Sequence, residues 1–407
     1  MNTKTKLDAL TSLRFFACLM IIFHHCSTTF FGEITPIFSI IISRLAQGVS
    51  FFFILSGFIL AYAYREFNKD RTIFMFFKAR FARIFPCYIF CFLLGYFLLN
   101  YNINWSTLIP FIFMSQSWVP NMRYYFSYNA VSWSISTEFS FYIVYPLLLI
   151  MLHKKPKLLI FIFSIPLLII IFINSYFSIP WMAPDNNKLI QLTGHALLYI
   201  NPLSRIFEFS IGMFLYYLWK QKNNKENYKI ATVYQFISVF ALIIFILCPS
   251  ISDTFYRIYF GPVVYNWSTL VGGFAVMAAV IYFFAQDGLL SRLISNKVFV
   301  TLGEISFSIY MCHQIILFFS SGHSSVLFRF SGGINFILYF LYVILLSYVI
   351  WVFVETPIRK FIVGGKIIHR SNLMSETMKI NSVFSLYSII ALVGLLSISF
   401  YIHSLIR

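Results

Sequence analysis

Apolar residues arrive in long unbroken runs, not in the strict alternation of half-buried strands. The runs fall at about 13–31, 46–64, 84–100, 129–152, 158–177, 203–219, 230–249, 263–285, 298–320, 334–354 and 383–403. Each is long enough to cross ~30 Å of hydrocarbon as a helix. The pattern predicts an all-α fold, a polytopic transmembrane helical bundle. A membrane β-barrel is excluded, because its strands are short and alternate. There is no internal repeat and no inverted pair of halves of the transporter kind.

Composition agrees. Of 407 residues, 60% are hydrophobic and 11% charged, whereas a soluble domain is roughly a quarter charged. A disordered chain would be polar, not apolar. The net charge of +17 would suggest nucleic acid on a soluble protein. Here the excess of Lys and Arg in cytoplasmic loops explains it, and no nucleic-acid partner is expected. With the N-terminus in the cytoplasm, 23 of the 30 Lys and Arg fall on the inner side and 7 outside. The chain is therefore expected in the bacterial cytoplasmic (inner) membrane, with its C-terminus outside and no extramembrane domain attached there. The first run lacks a small-residue cleavage site and carries His24 and His25, so it is not read as a cleavable signal. The six cysteines have no metal spacing and no disulfide framework, and read as buried thiols. The outer loops 101–128 and 178–202 are rich in aromatics and amides such as Trp105, Trp118, Tyr125, Trp181 and Asn186. They read as an interfacial belt, with a carbohydrate-facing surface as the alternative.

Ionisable groups within spans are costly and point to function. Arg14 and His25 are 11 residues apart, ~1100° of helix, or three turns plus ~20°. They share a face across ~16 Å of rise, while His24 points ~80° away from Arg14. Snorkelling for Arg14 and a helix–helix hydrogen bond for His25 are the bland readings of each alone. A cation at the inner mouth and an imidazole beyond mid-membrane, on one face, instead suit a reaction tunnel. Glu138 sits in the segment Trp133-Ser134-Ile135-Ser136-Thr137-Glu138 and needs a partner, for which a His on a facing helix is expected. In the inner loop Lys78 to Pro86, Arg80 and Arg83 are three apart and share a face if helical. Two guanidiniums can clamp a diphosphate, although a stop-transfer cluster looks the same. Arg205 and Glu208 read as a local ion pair. Glu304 and His313, nine apart, point in opposite directions, and His313 reads as a structural hydrogen bond. Pro357 in Glu355-Thr356-Pro357 is expected to stop the tenth helix.

Several of these segments, in this order, resemble the acyltransferase-3 family of bacterial integral-membrane O-acyltransferases. They are Leu10-Thr11-Ser12-Leu13-Arg14-Phe15 with His25, Gly48 to Phe58, and Arg80-Phe81-Ala82-Arg83-Ile84-Phe85-Pro86. Trp133-Ser134 to Glu138 with Phe141-Tyr142 and Pro146, Gly303 to His313, and Glu355-Thr356-Pro357 follow. The resemblance covers about 7–360. It implies ten core helices in a transmembrane domain at 1–360, leaving 361–407 as a cytoplasmic linker and an extra C-terminal helix. It also implies acyl-CoA, usually acetyl-CoA, as co-substrate from the cytosol, without a metal. The acceptor is a sugar hydroxyl on a surface polysaccharide (O-antigen, capsule or exopolysaccharide) or on a polyprenyl-lipid-linked precursor. By resemblance His25 is general base or transient acyl carrier, and Glu138 polarises it or contacts the acceptor. Arg14, Arg80 and Arg83 bind acyl-CoA, and Trp133 and Ser134 lie on the substrate. Some members carry an extracytoplasmic hydrolase-like domain behind an eleventh helix. This chain stops after its candidate eleventh, so a separate extracytoplasmic partner protein is a further expectation.

Two other classes are weighed. A flippase or transporter of a lipid-linked saccharide would also be basic and aromatic, but predicts inverted repeats or broken helices at mid-membrane. A polysaccharide polymerase predicts one large charged outer loop, and loops 101–128 and 178–202 are short and little charged.

Overall fold

The structure, a computed structural model, describes residues 7–32, 35–68, 72–183, 192–222, 227–322 and 332–364. The candidate eleventh span at 383–403 and Asn186 of the outer loop lie outside these residues. The described residues form an all-helical bundle with ten long helices. They are α1 (Asp8–Phe31), α2 (Gly48–Ala63), α3 (Ile73–Leu99), α4 (Trp133–Lys154) and α5 (Pro156–Tyr176). The second half has α6 (Pro202–Gln221), α7 (Tyr228–Leu247), α8 (Gly261–Phe284), α9 (Lys297–Gly322) and α10 (Gly332–Val363). All but α6 combine length with enough apolar sequence to cross a membrane. Helix α6 is more polar because it buries an ion pair against its neighbours, so it faces protein more than lipid.

Two expected boundaries move. The expected inner loop around Lys78–Pro86 is helical: α3 starts at Ile73, where the Thr72 side chain accepts from the Met75 N–H at 3.2 Å. Arg80 and Arg83 are therefore two to three turns inside a helix that continues through Pro86. At the other end Pro357 does not stop α10. A π turn at Trp351–Glu355 precedes it, and Pro357 then occupies the first turn of a fresh α segment, Thr356–Val363. A first-turn proline has no N–H to miss, so the axis runs on.

Burial is concentrated where helices need each other. Helix α5 presents Phe161, Leu168, Ile169 and Phe172 outward, as expected of a lipid-facing surface, while α2 is buried over most of its length. Small residues permit the closest crossings. A Cβ on Gly212 of α6 would overlap the Ile54 carbonyl of α2, and one on Gly303 of α9 would overlap the Thr11 carbonyl of α1. Polar side chains tie the rest. Arg205 and Glu208, both fully buried, pair at 2.7 Å as the sequence predicts. Arg205 also donates to the Tyr199 carbonyl and to Ser50 Oγ of α2, each at 3.0 Å, and stacks over Phe53 and Tyr199. Gln47 bridges to α8 through the Thr269 carbonyl and the Gly273 N–H. Ser308 of α9 donates to Glu355 of α10 at 3.1 Å. No disulfide joins the six cysteines.

Candidate active site

Helices α1, α2, α3, α4 and α9 line a narrow, partly open cavity. Arg14, Arg80 and Arg83 line it from the early turns of α1 and α3, the end of the bundle called here basic after its Lys and Arg, and α4 lines it from its first half. Each helix contributes a stripe. Helix α1 gives Arg14, and α3 gives Arg80 and Arg83. Ser134, Glu138 and Tyr142 recur every four residues on α4, and Ser306 and Tyr310 on α9, the spacing of one helix face. Helix α2 gives Ser56 between apolar wall residues such as Phe52 and Ile59.

Three guanidiniums thus meet one carboxylate around one space. Arg80 lies against the rings of Tyr64 and Tyr142, with centroid distances of 5.4 and 5.9 Å, and its buried Nε has no hydrogen-bond partner. Glu138 Oε1 accepts from Ser56 Oγ and from the Tyr142 hydroxyl, each at 2.6 Å. These two donors fix the carboxylate, as an orienting shell does at many sites. Ser134 and Tyr310 share a hydrogen bond at 2.7 Å, and Tyr310 donates to the Val131 carbonyl at 3.1 Å. They join α4 to α9 at the inner wall.

His25 lies beyond this wall, on α1 and half-buried. Its Nδ1 is 2.9 Å from Nε2 of His313 on α9, and the two rings lie nearly parallel at 16°. The neighbouring His24 turns away, as the helical spacing predicts: its Nδ1 donates to the Ile42 carbonyl at 2.9 Å.

Of the residues singled out in the sequence, Arg14, Arg80, Arg83, Ser134 and Glu138 line the cavity. His25 does not line it: it contacts His313, whose ring lies 5.8 Å from that of the cavity residue Tyr310. Trp133 is buried beside it, packed on Tyr199 at 4.9 Å and edge-on to Phe53 at 6.4 Å. The histidine partner expected for Glu138 is replaced by two hydroxyls, and the partner of His25 is a second imidazole. Ser56, Tyr142 and His313 were not put forward as site residues. A polar stripe at Ser306, Tyr310 and His313 on an apolar helix was the available signal for His313. No group of three or more His, Cys, Asp or Glu able to hold a metal gathers among the described residues.

A family model described as an acyltransferase domain matches residues 7–355. The chain belongs to the acyltransferase-3 family. Among its relatives, acyltransferase MdmB of Streptomyces mycarofaciens is 32% identical over 162 residues, 37% of this chain and 41% of that protein. The O-acetyltransferase OatA of Staphylococcus aureus is 24% identical over 382 residues, 87% of this chain and 57% of that protein. A putative acetyltransferase, ORF330, of Acidianus two-tailed virus is 26% identical over 313 residues, 75% of this chain and 82% of that protein. The chain thus spans less than two thirds of the length of both MdmB and OatA. No solved structure matches it.

Proposed function

We propose that this protein is a membrane O-acyltransferase. It takes an acyl group, the acetyl group in the first instance, from acyl-CoA and passes it to a sugar hydroxyl of a cell-surface polysaccharide or its lipid-linked precursor. The observation that carries the reading is the meeting of Arg14, Arg80, Arg83 and Glu138 in one cavity, with the His25–His313 pair beyond its Tyr310 wall. The donor class follows from the cations. CoA is a polyanion at one end and a thioester at the other, and guanidiniums bind phosphate through paired N–H groups. Arg80 and Arg83 face the cavity from one side and Arg14 from another, so the phosphates dock at the basic end. The apolar wall of Phe52 and Ile59 then guides the pantetheine arm inward. From Arg14 to His25 is ~16 Å along the helix axis, a reach that an extended pantetheine arm covers.

At His25 two routes are open, and both balance. As general base, His25 takes the proton of the acceptor hydroxyl. The oxygen attacks the thioester carbonyl, the C–S bond breaks, and the departing thiolate takes that proton as CoA thiol. As acyl carrier, the imidazole first displaces the thiolate and then yields the acyl group to the hydroxyl oxygen, whose proton ends on the CoA thiolate as thiol. The thioester is already activated in either case. Glu138, held by Ser56 and Tyr142, orients donor or acceptor inside the cavity.

The lysine and arginine bias places the basic end in the cytoplasm, where acyl-CoA is made, in a bacterial inner membrane. The acceptor then belongs to the opposite side, as O-antigen, capsule or exopolysaccharide. The printed names of OatA and ORF330 support acetyl as the group moved. The test is acetyl-CoA consumption by membranes containing the protein, with NMR of the surface polysaccharide from cells with and without the gene. Consumption together with a gene-dependent O-acetyl signal supports the reading. A flippase or transporter would give neither.

A further inference from the structure

The two imidazoles form a hydrogen-bonded chain whose proton positions are fixed by its far end. His313 Nδ1 is 2.6 Å from the Tyr310 carbonyl oxygen. A carbonyl oxygen only accepts, so this nitrogen carries the proton. In a neutral ring the other nitrogen, Nε2, is then a lone-pair acceptor. It lies 2.9 Å from His25 Nδ1, so His25 Nδ1 must be the donor. The same rule applied once more leaves His25 Nε2 as the unprotonated nitrogen of its ring. No carboxylate is hydrogen-bonded to either ring among the described residues, which favours the neutral pair.

We propose that His313 is the positioning residue of the acyl transfer. It holds His25 in the Nδ1–H tautomer, so that Nε2 is the nitrogen that takes the hydroxyl proton or carries the acyl group. This rests on the role given to His25 above. The orienter is itself held: His313 is fully buried, and its carbonyl accepts from the Tyr339 hydroxyl of α10 at 2.8 Å. Ten residues before His313, Gly303 lets α9 pack directly against the Thr11 backbone of α1. Fixing a tautomer through the remote ring nitrogen is a general way to make an imidazole a directed base. When His25 Nε2 gains a proton, the bond from Nδ1 to His313 becomes charge-assisted and strengthens. The pair therefore favours the state that the reaction forms.

Three substitutions separate this role from packing. In His313→Gln the side-chain amide reaches the position of Nε2 and offers an oxygen to His25. In His313→Asn the amide sits where Nδ1 was and leaves His25 Nδ1 without an acceptor. His313→Phe keeps the ring and removes both nitrogens. With full-length protein in membranes at matched accumulation, acetyl-CoA consumption is followed against acetyl-CoA concentration. Asn and Phe are expected to lower kcat by ~10²–10⁴-fold, the range for a lost or mis-set general base. Gln should stay within about tenfold of wild type, the lower range for an altered supporting hydrogen bond. KM for acetyl-CoA should stay unchanged in all three, because the arginines are untouched. Phe or Asn matching Gln in kcat, or a rise in KM at constant kcat, overturns the proposal. His25→Ala in the same series separates the two claims: if it stays active, the role of His25 falls as well. A second measurement needs no variant to be active. In wild-type protein labelled with ¹⁵N in the histidine rings, the His25 signals are identified by their absence from His25→Ala. They should report a protonated Nδ1 and a bare Nε2, and the reverse assignment overturns the relay.

Discussion

Replacing Gly303 by alanine removes no chemical group from the site, yet it should cost most of the activity. A Cβ there would fall inside the Thr11 carbonyl of α1, whereas real Cβ atoms essentially never come within 3.0 Å of another heavy atom. Backbone cannot rotate aside as a side chain can, so α1 and α9 must part by about 1 Å, a misplacement that can cost ~10²-fold in rate. Along those helices ride Arg14 and His25 on one side and Ser306, Tyr310 and His313 on the other. The 2.9 Å bond between the imidazoles has little slack, since a hydrogen bond stretched toward 3.6 Å is no longer one. Helix propensity runs the other way, favouring Ala over Gly by ~1 kcal/mol, so the helix itself is not weakened. The assay is acetyl-CoA consumption by membranes at matched accumulation, with Gly333→Ala as control, because nothing lies within 4 Å of a Cβ at that position. Gly303→Ala at wild-type rate would refute the expectation that parting α1 from α9 here separates the two histidines.

Other expectations follow from the same structure. Glu208→Ala should lower thermal stability by ~3–5 kcal/mol, because it strands the buried Arg205 charge, and unfolding in detergent measures it. Arg80→Ala or Arg83→Ala should raise KM for acetyl-CoA by one to two orders of magnitude, the equivalent of ~1.5–3 kcal/mol for a charge-assisted contact. Lysine should restore it only in part for want of the planar fork, and a fully active Arg83→Lys would assign the cluster to topology alone. His195, between α5 and α6, is held neutral by burial first and then by the Arg205 charge, down to about 4 from 6.5. Because the unfolded chain binds the proton more readily, its contribution to stability is full above pH 6.5. It is lost as pH falls toward 4, at about 1.4 kcal/mol per unit. His195→Gln should flatten that window in a thermal-shift series. A cysteine placed at Asn121 should react with an impermeant thiol reagent in intact cells and one at Lys155 should not, and the opposite pattern would invert the orientation.

The spans were legible because a bilayer demands long apolar helices and little else. The shifted boundaries, at Ile73 and beyond Pro357, are places where local capping and a π turn outweigh the polar residues that mark an end in sequence. Helical spacing alone turned His24 aside from His25, since one helix carries both. It also put Arg80 beside Arg83. The partner of Glu138 was another matter. Ser56 and Tyr142 come from α2 and from Glu138's own helix, and hydroxyls scattered through apolar runs give no sign of which carboxylate they will meet. His313 was compared with Glu304, which lies on the opposite face of α9. Its true neighbours, Tyr310 four residues after Ser306 and then His25 across the Gly303 crossing, depend on which helix packs against which. That pairing is set by close contacts at glycine, which one sequence does not display.

The most direct test of the whole account is the surface O-acetyl content of cells whose protein carries His25→Ala, His25→Asn or His24→Ala, at matched accumulation and read by NMR of the purified polysaccharide. The account predicts loss of the O-acetyl signal in both His25 variants, because asparagine can hydrogen-bond yet cannot take a proton, and near wild-type signal in His24→Ala. An active His25→Asn would contradict it, and would leave the imidazole pair as a structural tie between α1 and α9.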